Sequence, residues 1–253
     1  MKISIIGAGN VATHLAKAIN AAGMEVVQIW SQHFENAVVL AKQVSATAID
    51  ELQNIDLTVD VCLISVKDDE IANIAAQLKD FKGLVAHTSG SVDMTVFEPY
   101  FENYGVFYPL QTFSKEKHIS FETIPLCLEA NTDLAMQVLQ QLAGRLSKTI
   151  EKVDSEKRKI LHLAAVYACN FTNHLYALAE EILEANELKF DILRPLITET
   201  AAKVQESYPL DVQTGPAIRN DEQTLIKHQE LLKKQPELLD IYKSLSESIK
   251  KTR

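Results

Sequence analysis

Gly7-Ala8-Gly9-Asn10-Val11-Ala12 sets Gly-x-Gly-x-x-Ala directly after an apolar run, Lys2 to Ile6, and at the head of a helical pattern, Val11 to Ala22. That context is the one a dinucleotide-binding turn requires. Gly7 supplies the tight turn, Gly9 lets backbone approach a pyrophosphate with no side chain between, and Ala12 keeps helix close to strand. Ala8, Asn10 and Val11 complete the expected cradle, where free N–H groups and the positive end of the helix dipole face the anion. About 20 residues on, a carboxylate would be expected to hold a ribose 2′-hydroxyl. The sequence there is Ile29-Trp30-Ser31-Gln32-His33, with no acid. Ser31, Gln32 and His33 can each donate a hydrogen bond to a 2′-phosphate, which favours NADP over NAD.

Three further polar clusters follow apolar runs: Ser65 to Asp69, His87 to Ser91, and Tyr108 to Thr112. In an open parallel sheet ligands lie beyond the carboxyl ends of the strands, so these loops are expected to border the reacting end of the cofactor. Ser65 and Val66 are expected to cover it, with Lys67 a solvated loop charge. His87, Thr88, Ser89 and Gly90 either present donors to the cofactor and to a substrate carbonyl or carboxylate, or form a plain turn. On the later helical stretch, His162 and Asn170 differ by about 80° around the axis and share one side. His162 is the general-acid candidate, because an imidazolium delivers a proton near neutral pH; the other reading is a hydrogen-bonded core histidine. Asn170 either orients a substrate or satisfies neighbouring backbone. Thr214-Gly215-Pro216 is a helix break that puts Arg219 and Asp221 together, either to bind a substrate carboxylate or to cap the helix starting near Asp221.

These residues need elements to position them. Short apolar runs predict strands at Lys2 to Ile6, Glu25 to Trp30, Val59 to Ser65, Leu84 to His87, Gly105 to Tyr108 and Ile124 to Glu129. Helical patterns lie between them, near 11–22, 35–43, 70–78 and 132–146. Val61-Cys62-Leu63-Ile64 is apolar throughout, as a strand buried on both faces requires. After Val153 the strand signal stops and helices are predicted at 155–187, 190–208, 221–233 and 236–251. The expected architecture is therefore an α/β domain over 1–153, with a doubly wound, mostly parallel sheet, and an all-helical domain for substrate and dimerisation over 154–253. Glycine usage marks the same division, since Gly215 alone falls in the second part.

Composition excludes several classes of function. The net charge is −9, distributed as −7 over residues 1–150 and −2 over the rest, so no basic face for nucleic acid exists. The apolar stretch from Ile160 to Leu183 is interrupted by His162, Asn170, Asn173 and His174, which suits a buried helix and not a bilayer span. Being apolar nearly all round, it should be wrapped by other helices or by a second subunit, and a homodimer built on it is expected. The N-terminus lacks a signal-peptide pattern, so a cytoplasmic location is expected. Cys62, Cys127 and Cys169 are odd in number, lack C-x-x-C spacing and sit in apolar runs. They read as small buried hydrophobes, with no metal or disulfide implied.

The whole chain resembles the Rossmann-like proteins with an uncharacterised helical C-terminal domain, relatives of pyrroline-5-carboxylate reductase, ketopantoate reductase and the 6-phosphogluconate dehydrogenase superfamily. The carrying motifs are 7–12, His87-Thr88-Ser89-Gly90-Ser91, Tyr108-Pro109-Leu110-Gln111-Thr112-Phe113, His162 through Asn170, and 214–221. The resemblance implies an NADP-dependent oxidoreductase acting on a small molecule. It departs from the wider superfamily at Gln32, where arginine is frequent, and at Val166, where the hydroxyacid-dehydrogenase branch has a catalytic lysine four residues before its asparagine. The reading is hydride transfer between NADP(H) and a small carbonyl or imine, with a carboxylate on the substrate. The alternative is a sensor or scaffold that binds NADP(H) without turnover.

Overall fold

The computed structural model describes residues 1–117 and 119–252. Eight strands form one sheet: β1 (Lys2–Ile6), β2 (Glu25–Trp30), β3 (Thr47–Ile49), β4 (Val61–Ile64), β5 (Leu84–His87), β6 (Tyr104–Pro109), β7 (Leu126–Ala130) and β8 (Ile150–Lys152). Four helices belong with them: α1 (Asn10–Ala21), α2 (Phe34–Val44), α3 (Ile71–Gln77) and α4 (Asp133–Gly144). Beyond the sheet come α5 (Ser155–Ala165), a π-helical stretch Val166–Phe171, α6 (Thr172–Glu184), α7 (Arg194–Glu206), α8 (Glu222–Leu231) and α9 (Pro236–Lys251).

The strand order is β3-β2-β1-β4-β5-β6-β7-β8, with every pair parallel except β6 and β7. The chain winds outward from β1 in one direction and returns to add β4 on its other side. Crevices at such a reversal are where open α/β sheets bind ligands. Edge strands β3 and β8 have three residues each, too short for a period-2 pattern, and the sequence reading does not contain them. Apolar side chains fill both faces of the sheet. One cluster joins Ile3, Ile5, Leu15, Ile19, Leu63 and Leu139; the other joins Ile6, Cys62, Ile64, Ile71, Val85 and Phe97. Alternate residues of β1 and β4 serve opposite clusters, which is why β4 is apolar at every position and β1 at every buried position except Ser4.

The chain divides into two compact units, Met1–Asn170 and Phe171–Arg253, so α5 belongs to the first. Asp154 caps α5 by accepting from the Lys157 N–H (2.8 Å), one residue ahead of the start read at Ser155. Asp221 caps α8 by accepting from the Thr224 N–H (3.1 Å), and Pro236 opens α9, as their residue types require.

Two expectations need correction. The 160–183 stretch is not one buried helix: Ile160 is 67% exposed and Tyr167 65% exposed, and no residue of α6 is buried. Its apolar side chains outnumber what the described residues cover. Cys169 is exposed for the same reason, whereas Cys62 and Cys127 are buried. Burial pushes the Cys62 thiol up to about 12, which leaves it inert. Among the described residues no helix is long and apolar enough to cross a membrane, and no group of three or more metal-ligating side chains occurs.

Candidate active site

At the end of β1 the backbone must reverse within one residue, and Gly7 does so at φ +128. A Cβ there would lie 2.0 Å from the Ser65 carbonyl oxygen, so the turn packs directly on the end of β4 and admits no other residue. Gly9 differs. A Cβ on Gly9 meets no protein atom within 4 Å, so its openness leaves room for something other than protein. It also caps α1 without offering a side-chain acceptor, and Asn10 turns its amide away to donate to the Phe113 carbonyl (2.9 Å). The first bond back along the helix is Thr13 N–H to Gly9 O (2.9 Å). The Gly7 N–H is taken by the Trp30 carbonyl (2.7 Å), so the donors left for an anion are the N–H groups that open α1.

This turn opens one end of a cavity of about 800 Å³, a size suited to a bound cofactor and substrate, formed within the first unit. Gly7, Ala8, Gly9, Asn10 and Val11 line it, together with Ser31, Gln32 and His33 from the end of β2. Ser65 and Val66 follow from β4, and Ser89 from the loop after β5. Among the described lining residues Lys67 is the one lysine or arginine, and Asp68 and Glu70 are the carboxylic acids. His33 caps α2 with no side-chain bond, so a second helix N-terminus stands beside the polar trio 31–33.

The far end holds Gly90, Tyr108 and His162. Tyr108 Oη and His162 Nδ1 are 3.0 Å apart, their rings meeting edge to face. Burial pushes the Tyr108 phenol up to about 12, so it stays protonated at neutral pH. A Cβ on Gly90 would fall 2.6 Å from His162 Nδ1 and 2.9 Å from Tyr108 Cζ, so glycine at 90 is what lets this pair close. Ser89 Oγ accepts from the N–H groups of Ser91 and Val92 (3.1 Å each), fixing the loop, while Ser91 Oγ donates to Asp68. Thr88 Oγ1 donates to Ser65 Oγ (3.1 Å), tying the ends of β4 and β5.

His87 does not line the cavity. Its side chain is wholly buried and packs on Phe97, while Nδ1 accepts the Ser89 N–H (3.2 Å) and Nε2 has no partner. Desolvation, aided by the Arg158 charge, pulls its pKa down to about 3, so it is neutral and supports the loop from beneath. Asn170 is exposed and outside the lining, and Arg219 is an exposed residue of the second unit, whose neighbour Asp221 is engaged in capping.

Sequence reasoning missed Arg158, the largest fully buried side chain among the described residues. Its guanidinium pairs with Glu129 of β7 and donates to the Val92 carbonyl, with Ser155 Oγ at 3.1 Å. Ser155 in turn donates to Glu129 from its N–H (2.8 Å) and hydroxyl (2.7 Å). One helical turn before His162, Arg158 therefore anchors α5 to both the sheet and the 89–92 loop. The signal available was an arginine on the same helical stripe as His162; its partner, 29 residues earlier, could not be read from spacing.

A doubly wound sheet with an anion-cradling glycine turn at its reversal defines a dinucleotide-binding protein of the Rossmann type. The family described as NADP oxidoreductase, coenzyme F420-dependent, matches residues 2–86, and the Domain of unknown function (DUF2520) matches residues 124–249. A Bacteroides fragilis protein, provisionally designated an NADP oxidoreductase, is 43% identical over 99% of this chain and 98% of its own, with a TM-score of 0.94. The chain belongs to the family of that protein, in which an NADP oxidoreductase domain is joined to DUF2520. Similarity of fold extends to a pyrroline-5-carboxylate reductase from Coxiella burnetii (15% identity, TM-score 0.62, 98% and 97% of the two chains). It extends also to a reductive aminase from Aspergillus terreus solved with NADPH and ethyl-5-oxohexanoate (13%, 0.73, 98% and 92%). No functionally curated protein matches the sequence significantly.

Proposed function

We propose that the chain binds NADPH in the 800 Å³ cavity and reduces a small carbonyl or imine bearing a carboxylate. The observation that carries this reading is the cavity's two ends: an unobstructed glycine turn at one and a phenol–imidazole pair at the other. NADPH would supply the hydride. The N–H groups after Gly9 would hold its pyrophosphate, and Ser31, Gln32 and His33 at the start of α2 would hold the 2′-phosphate, with no carboxylate at that strand end to repel it. Ser65, Val66 and Ser89 border the reacting end, and His162 belongs to the proton supply. The second unit is proposed as a dimerisation domain and the protein as a cytoplasmic homodimer, which the exposed apolar residues of α5 to α7 support.

Titration with NADPH and NADH, followed by single-turnover oxidation of NADPH against 2-keto acids and cyclic imines, tests the reading. Tighter binding of NADPH and its oxidation by at least one carbonyl or imine are expected. Failure to bind NADPH overturns the cofactor assignment. Binding with no oxidation across the panel favours a sensor or scaffold.

A further inference from the structure

Resting on that reductase reading, we propose that Tyr108 is the group that hands a proton to the reduced heteroatom, and that His162 replaces the proton from behind. Both line the cavity, and their polar atoms are 3.0 Å apart. Tyr108 is nearly enclosed, whereas His162 is only half-buried, so the pair runs from a dry end to a wetter one. The protein maintains this contact at some cost. Gly90 has no Cβ because one would sit 2.6 Å from Nδ1, and a wholly buried Arg158 is spent on anchoring the helix that carries His162.

The chemistry of the pair follows from its burial. A phenol held at about 12 is a poor acid by itself, since the phenolate it leaves behind is desolvated. An imidazolium whose Nδ1–H already points at the phenol oxygen removes that difficulty. As the carbonyl carbon accepts hydride from NADPH, the C=O π pair moves to oxygen. The Tyr108 O–H bond breaks and its proton bonds to that oxygen, giving the alcohol. The phenol oxygen takes the Nδ1 proton of His162, leaving neutral imidazole, which water reprotonates. Bound NADPH would supply the hydride and leave as NADP⁺, which balances the reduction of the carbonyl. A neutral imine uses the same route to an amine. A preformed iminium needs hydride alone, so the relay assigns the site to carbonyls and neutral imines.

Tyr108→Phe removes one oxygen from an otherwise intact ring. In single-turnover NADPH oxidation with pyruvate as a small 2-keto acid, the variant should be slowed about 100-fold or more, against less than about threefold with an N-methylated cyclic iminium. NADPH affinity should be unchanged. Gly90→Ala, which parts the two side chains without altering either, should reproduce that pattern. Independently of turnover, nitrogen NMR of unliganded wild type should show the His162 Nδ1 signal perturbed by its hydrogen bond to the Tyr108 oxygen, and Tyr108→Phe should remove that perturbation. Unimpaired reduction of pyruvate by Tyr108→Phe, equal losses on both probes, wild-type turnover of the iminium alone, or an unchanged His162 Nδ1 signal in the variant each overturns the relay. Wild-type enzyme that binds NADPH but oxidises it with no probe overturns the reductase reading itself, a separate result.

Discussion

The two units solve the problem of burial differently. In the first, apolar clusters cover both faces of the sheet, and even the polar residues under the site, His87 and Arg158, are fully enclosed. In the second, α6, α7 and α9 bury no residue at all and α8 buries only Leu225, while Ile192, Leu196, Tyr208 and Leu231 stand more than half exposed. Apolar faces left that open in a folded chain mark contact surfaces. The comparison teaches that the large cavity is lined by residues of the first unit, whereas the helical unit leaves much of its apolar surface uncovered.

The enclosed polar residues offer the sharpest tests. His87 is neutral in the folded protein with a pKa near 3, while in the unfolded chain it protonates below its ordinary value of 6.5. Stability from this source is therefore complete above pH 6.5 and is lost as the pH falls toward 3. Linkage sets the scale at up to about 5 kcal/mol. Denaturant unfolding across that window should show the loss, and His87→Gln should flatten it.

Arg158→Met should cost about 3–5 kcal/mol in denaturant unfolding, because Glu129 loses its counter-charge and keeps only the two Ser155 donors. Adding Glu129→Leu should recover most of that loss. A double variant as unstable as the single one would show that the pair is not what holds α5.

The two glycines of the turn separate folding from binding. Gly7→Ala should destabilise by about 1–3 kcal/mol through its positive φ and the Ser65 clash, and abolish NADPH binding. Gly9→Ala should stay within about 0.5 kcal/mol of wild type in stability yet weaken NADPH at least about tenfold. Calorimetry and a cofactor titration on the same samples check both.

The smallest expected change in monomer stability tests the other unit. Ile192→Ser with Leu196→Ser should alter it by no more than about 0.5 kcal/mol, since both side chains are exposed. Sedimentation should nevertheless show the proposed homodimer weakened. A large loss of monomer stability would mean that these faces are packed within the chain.

Much of the first unit is legible in the sequence because its signals are local. Gly7 and Gly9 lie between a run of period-independent apolar residues and a helix, and the absence of an acid after Trp30 is visible in three letters. Val61 to Ile64 announces a central strand by being apolar throughout. The edge strands β3 and β8 are too short to announce anything, and the antiparallel β7 looks in sequence like any other strand. His162 was legible as a candidate but its partner was not, since Tyr108 and His162 are 54 residues apart. The apolar stretch from Ile160 reads as buried because apolarity records what a segment must hide, not which molecule hides it.

The sequence by itself determined the six longer strands and the helices between them, the glycine turn and the lack of a carboxylate at the second strand end, because each depends on neighbouring residues and backbone permissiveness. Only the tertiary structure decided that His87 lies beneath the site, that Arg158 anchors the helix above it, and that Gly90 makes room for the Tyr108–His162 contact. Those facts depend on which distant segments the sheet brings within about 3 Å of each other, the range over which hydrogen bonds act.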